Sequence, residues 1–144
     1  MIYDVVVVGA GIAGLMAAIE ARQKGAKVAV LTKGNIIKSN SNMASGGING
    51  VLNPKNKEFI DLHIKDTIKS AKGLADVSNV QYMCKNGGKI IAKLEKYGVE
   101  FTKDSDGKLI QRPFGGGKVN RTCFVGDKTG SAITMTLIKK ARSV

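Results

Sequence analysis

Six residues, "GAGIAG" at Gly9 to Gly14, have the types and spacing to hold phosphate. Gly9 permits a tight turn out of a strand, Gly11 lets backbone approach a pyrophosphate, and Gly14 lets the following helix pack closely. Ile12, Ala13 and Gly14 would open that helix, where free N–H groups and the positive end of the dipole favour anions. A second stretch rich in polar groups, "KSNSNMASGGINGVL", runs from Lys38 to Leu52 and reads as an irregular polar loop. The other reactive side chains are sparse. Cys84 and Cys123 are far apart with no C-x-x-C, so they suggest neither a disulfide framework nor a zinc or iron–sulfur site, but two reduced thiols in a cytoplasmic protein. His63, the single histidine, falls beside an apolar stripe and reads as structural or surface.

The phosphate reading requires particular elements around it. "IYDVVVV", Ile2 to Val8, is an apolar β-branched run of the kind that forms a buried parallel strand. "LMAAIEARQKG" is helical, with Gly25 as its C-terminal stop, and "AKVAVLT", Ala26 to Thr32, is a second buried strand. The G-x-G-x-x-G thus falls between a strand and a helix, as dinucleotide binding demands. The acidic residue that should end the second strand and hold the adenosine ribose is replaced by Thr32 and Lys33. Thr32 can still bond a ribose hydroxyl, and Lys33 can lie over the adenine or near a phosphate. The substitution weakens an NAD reading and leaves FAD open.

Beyond the loop, Glu58 to Lys72 is helical with Ile60, Ile64, Ile68 and Ala71 as its apolar stripe and Gly73 as stop. Asp76 can cap a second helix running to about Lys85, before Gly87 and Gly88, and "KIIAKLEKYG" forms a third that ends at Gly98. "VEFT", "KDSDGK" and "LIQ" read as a β-hairpin. A second glycine-rich loop leads to a helix from Thr129 to Ser143, which Asp127 or Thr129 would cap.

The chain has 144 residues, enough for one domain, and no apolar run of the length a membrane span needs. Its net charge of +12 is spread without a run of like charges. That pattern argues against a nucleic-acid partner and for a solvated basic surface that attracts anionic ligands.

"GAGIAGLMAAIEA", "SNSNMASGGI", "YMCKNGGKIIAKLEKYGVEF", "DGKLIQRPFGG" and "RTCFVGDKTG" occur in the order found in flavoprotein subunits of fumarate reductase and succinate dehydrogenase, to which L-aspartate oxidase is closely related. The chain resembles the N-terminal portion of these longer proteins over nearly all its length. The resemblance implies an α/β, Rossmann-like FAD-binding domain over 1–144, its sheet incomplete, with an inserted helical segment and a small hairpin. The family's capping and C-terminal regions would be absent, and apolar faces that meet later residues would be left open.

The resemblance assigns the cofactor as FAD. It places Gly9, Gly11, Ile12, Ala13 and Gly14 at the phosphates, with Thr32 and Lys33 nearby. Ser39, Asn40, Ser41, Ala44, Ser45, Gly46 and Gly47 would lie along the flavin. Gly46 and Gly47 would lie against the ring, where only glycine allows so close an approach. Many respiratory members carry Ser-His-Thr where this chain has Ser39, Asn40 and Ser41, and that histidine bonds the flavin covalently. Asn40 has no ring nitrogen, so the expected FAD is non-covalent, which favours fumarate reduction or an oxidase over succinate oxidation.

Phe114 and Gly46 are the implied substrate contacts. Aspartate oxidases carry a glutamate at the position of Phe114, able to pair with an ammonium group, whereas a phenyl ring suits an unsubstituted C4 dicarboxylate. The implied partners are that dicarboxylate, an iron–sulfur subunit and, through it, a membrane anchor on the cytoplasmic face. Catalytic side chains are expected beyond Val144, and no metal site is expected. An L-aspartate oxidase-type enzyme and a non-catalytic nucleotide-binding fragment remain the alternatives.

Overall fold

The apolar run ending at Val8 forms the first strand of the computed structural model, which describes residues 2–113 and 119–144. In chain order the elements are β1 (Val5–Val8), α1 (Ile12–Gln23), β2 (Val28–Leu31), a 3-10 turn (Ile36–Lys38), α2 (Asn40–Met43), β3 (Ile48–Asn49), α3 (Lys57–Ser70), α4 (Val77–Tyr97), β4 (Thr122–Cys123) and α5 (Thr129–Arg142). They fall into two compact units. One comprises residues up to Ser45 together with Tyr97–Glu100 and Val125–Val144, and the other Gly46–Lys96 and Phe101–Phe124.

In the first unit β1 and β2 pair in parallel, from Val5 opposite Val28 to Val8 opposite Leu31. β1 begins three residues later than the sequence suggests. Asp4 bonds outside the ladder, its carboxylate accepting the Lys27 N–H at 2.7 Å. α1 crosses between the strands and buries Leu15, Ala18 and Ile19. It lies against α5, which buries Ile133, Thr134 and Leu137. Fully burying a side chain such as Ile19 or Leu137 contributes about 1.5–3 kcal/mol. The opposite face of the strands carries Val6 and Val8 open to solvent.

The second unit is built on two helices. Asn56 caps α3, its side chain accepting the Phe59 N–H at 3.1 Å. Asp76 caps α4 as expected, accepting from the Asn79 N–H at 2.9 Å. The buried residues of α3 are Ile60 and His63, not the whole isoleucine stripe. Thr67, one turn beyond His63, reaches the Cys84 sulfur of α4 at 3.9 Å.

α4 is continuous through Gly87 and Gly88, where two helices were expected. The reason is packing. A Cβ on Gly88 would fall on the Val51 carbonyl, and one on Gly87 would lie 3.1 Å from the Gly50 Cα. These glycines bring a helix against a backbone rather than ending it.

β3 and β4 pair antiparallel, Ile48 opposite Cys123 and Asn49 opposite Thr122. The expected hairpin around Asp106–Gly107 is a turn without strands. Asp104 N–H donates to Lys108 O at 2.9 Å, and the flanks make one isolated bridge, Lys103 with Leu109. At α5 the expected side-chain cap is missing, because Lys128 occupies the cap position. Thr129 instead uses its hydroxyl to accept the Val125 N–H at 3.0 Å.

Candidate cofactor site

The turn after β1 has the geometry that its three glycines suggest. Gly9 has φ +109°, a value L side chains rarely adopt, and its N–H donates to Leu31 O at 2.8 Å. A Cβ on Gly14 would overlap the Gly9 carbonyl and come within 3.3 Å of a Val7 methyl, so α1 can pack this closely only with glycine there. Gly11 is the helix N-cap and offers no side chain to the first-turn amides. The Ile12 N–H is taken by the Ser41 hydroxyl at 3.2 Å. Ala13 and Gly14 are first-turn residues, whose amides have no partner within a helix.

Beside this turn lies a cleft of about 810 Å3 lined by Gly9, Gly11, Thr32, Lys33, Lys38 and Ser39 among others. Its size is that of a small-molecule site. None of the described residues lining it is acidic. Its lining takes in the Gly11 cap of α1, Lys33 and Lys38, a composition that suits an anion, while Ile12, Ala13 and Gly14 do not line it. The end of β2 carries no carboxylate for a ribose, and the Thr32 hydroxyl donates to Gly34 O at 3.1 Å. Lys38 and Asn35 also line the cleft and were not singled out in the sequence. The signal for Lys38 was its position as the first residue of the polar arm.

The arm itself is more ordered than its composition suggests. Ser39 caps the short α2, its hydroxyl accepting the Asn42 N–H at 3.2 Å, and the Asn42 amide donates to Ile37 O at 2.9 Å. Asn40 opens α2 and is exposed, as are Ala44 and Ser45 at its far end. The Ala44 carbonyl accepts the Gly130 N–H of α5 at 2.7 Å.

Gly46 and Gly47 belong to the second unit, and each is held there. The Gly46 carbonyl accepts from Arg112 at 2.9 Å, and the Arg112 guanidinium lies 4.2 Å from the centre of the Phe124 ring. Gly47 has φ +120°, and a Cβ on it would lie 2.5 Å from the Thr122 methyl and 2.6 Å from the Cys123 carbonyl. Its glycine identity is therefore fixed by β4, whatever lies on its other side. Phe114 lies outside the described residues.

A polar cluster in the second unit had no signal in the sequence beyond its residue types. Arg121 is buried and bonds the Asp66 carboxylate at 2.5 Å. His63 is buried nearby, and burial, aided by the Arg121 charge and opposed by Asp66, pushes its pKa below the usual histidine value. Among the described residues no group of histidine, cysteine and carboxylate side chains could hold a metal.

A parallel β-α-β start, an anion-suited cleft at its helix N-terminus and a polar arm beside it have the form of a domain for a nucleotide cofactor. The chain belongs to the FAD binding domain family, which it matches over residues 4–144, and FAD is the cofactor this membership assigns. The residues present fit that cofactor, since Gly9 and Gly11 line the cleft without side chains of their own and Lys33 and Lys38 line it as cations.

The chain is 41% identical to the succinate dehydrogenase flavoprotein subunit of Rickettsia felis, over 96% of this chain and 25% of that protein. It is 40% identical to the mitochondrial succinate dehydrogenase flavoprotein subunit of Oryza sativa subsp. japonica, over 96% and 23%. Among solved structures, the Mycobacterium smegmatis Sdh1 complex matches with TM-score 0.87 at 40% identity, over 96% of this chain and 23% of that one. The E. coli quinol–fumarate reductase matches with TM-score 0.89 at 33% identity, over 98% and 24%. The chain thus spans about a quarter of the length of the curated relatives it matches.

Proposed function

We propose that this chain is the FAD-binding portion of a flavoprotein oxidoreductase acting on a C4 dicarboxylate, most consistent with fumarate reduction by non-covalently held FAD. The observation that carries the proposal is Asn40, exposed at the start of α2. A carboxamide cannot form the flavin bond that a histidine ring nitrogen makes in the respiratory relatives the sequence resembles. The names of the matched proteins, succinate dehydrogenase flavoproteins and quinol–fumarate reductase, support the substrate class and leave its direction to Asn40.

In this reading the first unit is a Rossmann-like start. Gly9, Gly11, Ile12, Ala13 and Gly14 receive the pyrophosphate, and Thr32 and Lys33 the adenosine half. Ser39, Asn40, Ser41, Ala44 and Ser45 follow the flavin side. Gly46 and Gly47 bring backbone to the ring, and Gly46 and Phe114 meet the substrate. Bound FAD supplies two-electron redox chemistry. The chain's own residues neutralise phosphate charge, keep side chains out of the cradle and orient the arm. Proton donors and carboxylate clamps belong to the rest of the full protein. An iron–sulfur subunit and, through it, a membrane anchor are the proposed partners, with the protein on the cytoplasmic side. No described helix is long and apolar enough to cross a membrane.

The test is a visible spectrum of purified protein before and after acid precipitation. Flavin released into the supernatant is expected, and flavin retained in the pellet would refute non-covalent attachment. Reduced-dye assays of the full-length protein should then show fumarate reduction. Turnover of L-aspartate without fumarate reduction would overturn the substrate.

A further inference from the structure

The "GDKTG" turn ahead of α5 has a role that no cofactor contact explains. Gly130, the second residue of α5, is buried. Its N–H donates to the Ala44 carbonyl at 2.7 Å. A Cβ on it would overlap the Ser41 carbonyl and lie 2.6 Å from the Ala44 oxygen and 3.0 Å from the Ala44 Cβ. Two of these neighbours are backbone atoms, which cannot swing aside.

At the other side of the same short segment, the Ser41 hydroxyl accepts the Ile12 N–H of α1 at 3.2 Å. That hydroxyl also lies only 3.0 Å from where a Cβ on Gly11 would sit. The residues from Ser41 to Ala44 are therefore fastened between the N-termini of two helices, α1 and α5, that lie against each other. Gly130 is not among the residues lining the cleft beside α1.

We propose that Gly130 is a positioning residue for FAD. Its missing side chain lets α5 seat the Ser41–Ala44 backbone, which sets the Ser41 hydroxyl on the phosphate-binding end of α1. The inference rests on the reading of this arm as part of the FAD site. Gly130 acts through Ser41 and Ala44 and touches no cofactor itself. An alanine at position 130 must push the two carbonyls away, and the Ser41–Ile12 bond is lost or lengthened with them. A site that must rebuild one such hydrogen bond on binding FAD loses up to about tenfold in affinity.

Two measurements on the chain with Gly130→Ala, Ser41→Ala and Ser41→Thr test this. The first is amide hydrogen exchange at Ile12 without FAD. Both alanine variants should expose that amide, and Ser41→Thr, which keeps the hydroxyl, should leave it protected. The second is FAD titration at a temperature where each apo-protein is folded. Gly130→Ala should bind more weakly by up to about tenfold, with altered fine structure in the flavin's visible band, and Ser41→Thr should bind much as the parent does. A folded Gly130→Ala protein that keeps the Ile12 amide protected, or binds FAD with parental affinity and spectrum, overturns the proposal. If Gly130→Ala does not fold, Ser41→Ala decides, and parental affinity in that variant overturns it. If the parent chain takes up no FAD, the cofactor reading itself fails and the inference falls with it. The exchange data would still show whether Gly130 seats the arm.

Discussion

Gly88→Ala should destabilise the second unit although alanine is the better helix former. In an exposed helix the change would gain about 1 kcal/mol. Here the added methyl falls on the Val51 carbonyl. That backbone is fixed by its neighbour, since the Gly50 N–H donates to Arg121 O and the Gly50 carbonyl accepts from Gln111, both at 2.8 Å. Overpacking costs about 1–3 kcal/mol, and an obstructing main-chain oxygen places this site at the upper end. The net loss is about 2 kcal/mol, equivalent for a chain of this size to a fall in Tm of roughly 6 °C. Gly87→Ala is the internal control. Its methyl would stand 3.1 Å from the Gly50 Cα and 3.3 Å from the Asn49 carbonyl, which asks for a shift of only a few tenths of an ångström. The propensity gain and the contact cost should nearly cancel. Urea unfolding followed by far-UV circular dichroism should show a lowered midpoint with unchanged slope for Gly88→Ala and a near-parental midpoint for Gly87→Ala. A Gly88→Ala midpoint at or above the parent's would refute the argument that α4 keeps this glycine for contact.

Other outcomes follow from the buried polar groups. Burial pushes the Cys123 thiol up to about 11 and also raises Cys84, so neither should react quickly with a disulfide reagent at pH 8 until urea is added; one fast equivalent in the folded protein would contradict this. His63 has its folded pKa held below 6.5 by burial, so its contribution to stability is complete above pH 6.5 and declines as pH falls below that value toward the lowered folded pKa. The urea midpoint of His63→Gln should therefore fall less between pH 7.5 and pH 5.5 than the parent's (test conditions chosen around the usual histidine range of about 6.5), and equal falls would remove His63 as the cause. Asp66→Asn leaves the buried Arg121 with a neutral partner and should cost roughly 2 kcal/mol, below the figure for fully buried pairs because Asp66 is partly exposed. Replacing both groups, as Asp66→Leu with Arg121→Met, should cost less than Asp66→Asn alone, and the reverse order in urea midpoints would count against the desolvation of Arg121 as the main source of the loss.

What could be read in the sequence was whatever local pattern decides. β1, α1 and β2 follow from two apolar β-branched runs around a glycine turn. Gly25, Gly73 and Gly98 follow helices at positive φ, as stop signals should. The failures at α4, β3, β4 and α3 were settled by distant partners. Gly87 and Gly88 looked like breakers because the backbone they accommodate, Gly50 to Leu52, is far away in sequence. β3 and β4 are two residues each and exist only as a pair, so neither has a periodicity to detect. The isoleucine stripe of α3 overstated its buried face because His63 is buried as well, near the Arg121–Asp66 pair. For the site, Gly9, Gly11, Thr32, Lys33 and Ser39 line one cleft, while Ile12, Ala13, Gly14, Asn40 and Ser41 are not in its lining. Lys38 and Asn35 were missed because a lysine opening a polar loop, or an asparagine just ahead of it, is unremarkable without the cleft. The second hold on the arm, Gly130, is invisible in a linear reading for the same reason as Gly88.

That hold also orders events in time. The two strands, α1 and the Ser41 end of the arm are synthesised within the first few dozen residues, but the Ala44 end waits for Gly130. Ala44 and Gly130 are roughly 90 residues apart, so at ~5–20 residues per second the ribosome needs roughly 5–20 s to supply the missing contact. During that interval the Ser41 hydroxyl can already meet the Ile12 amide, but α1 and the Ala44 end of the arm both lack the α5 face that they rest on.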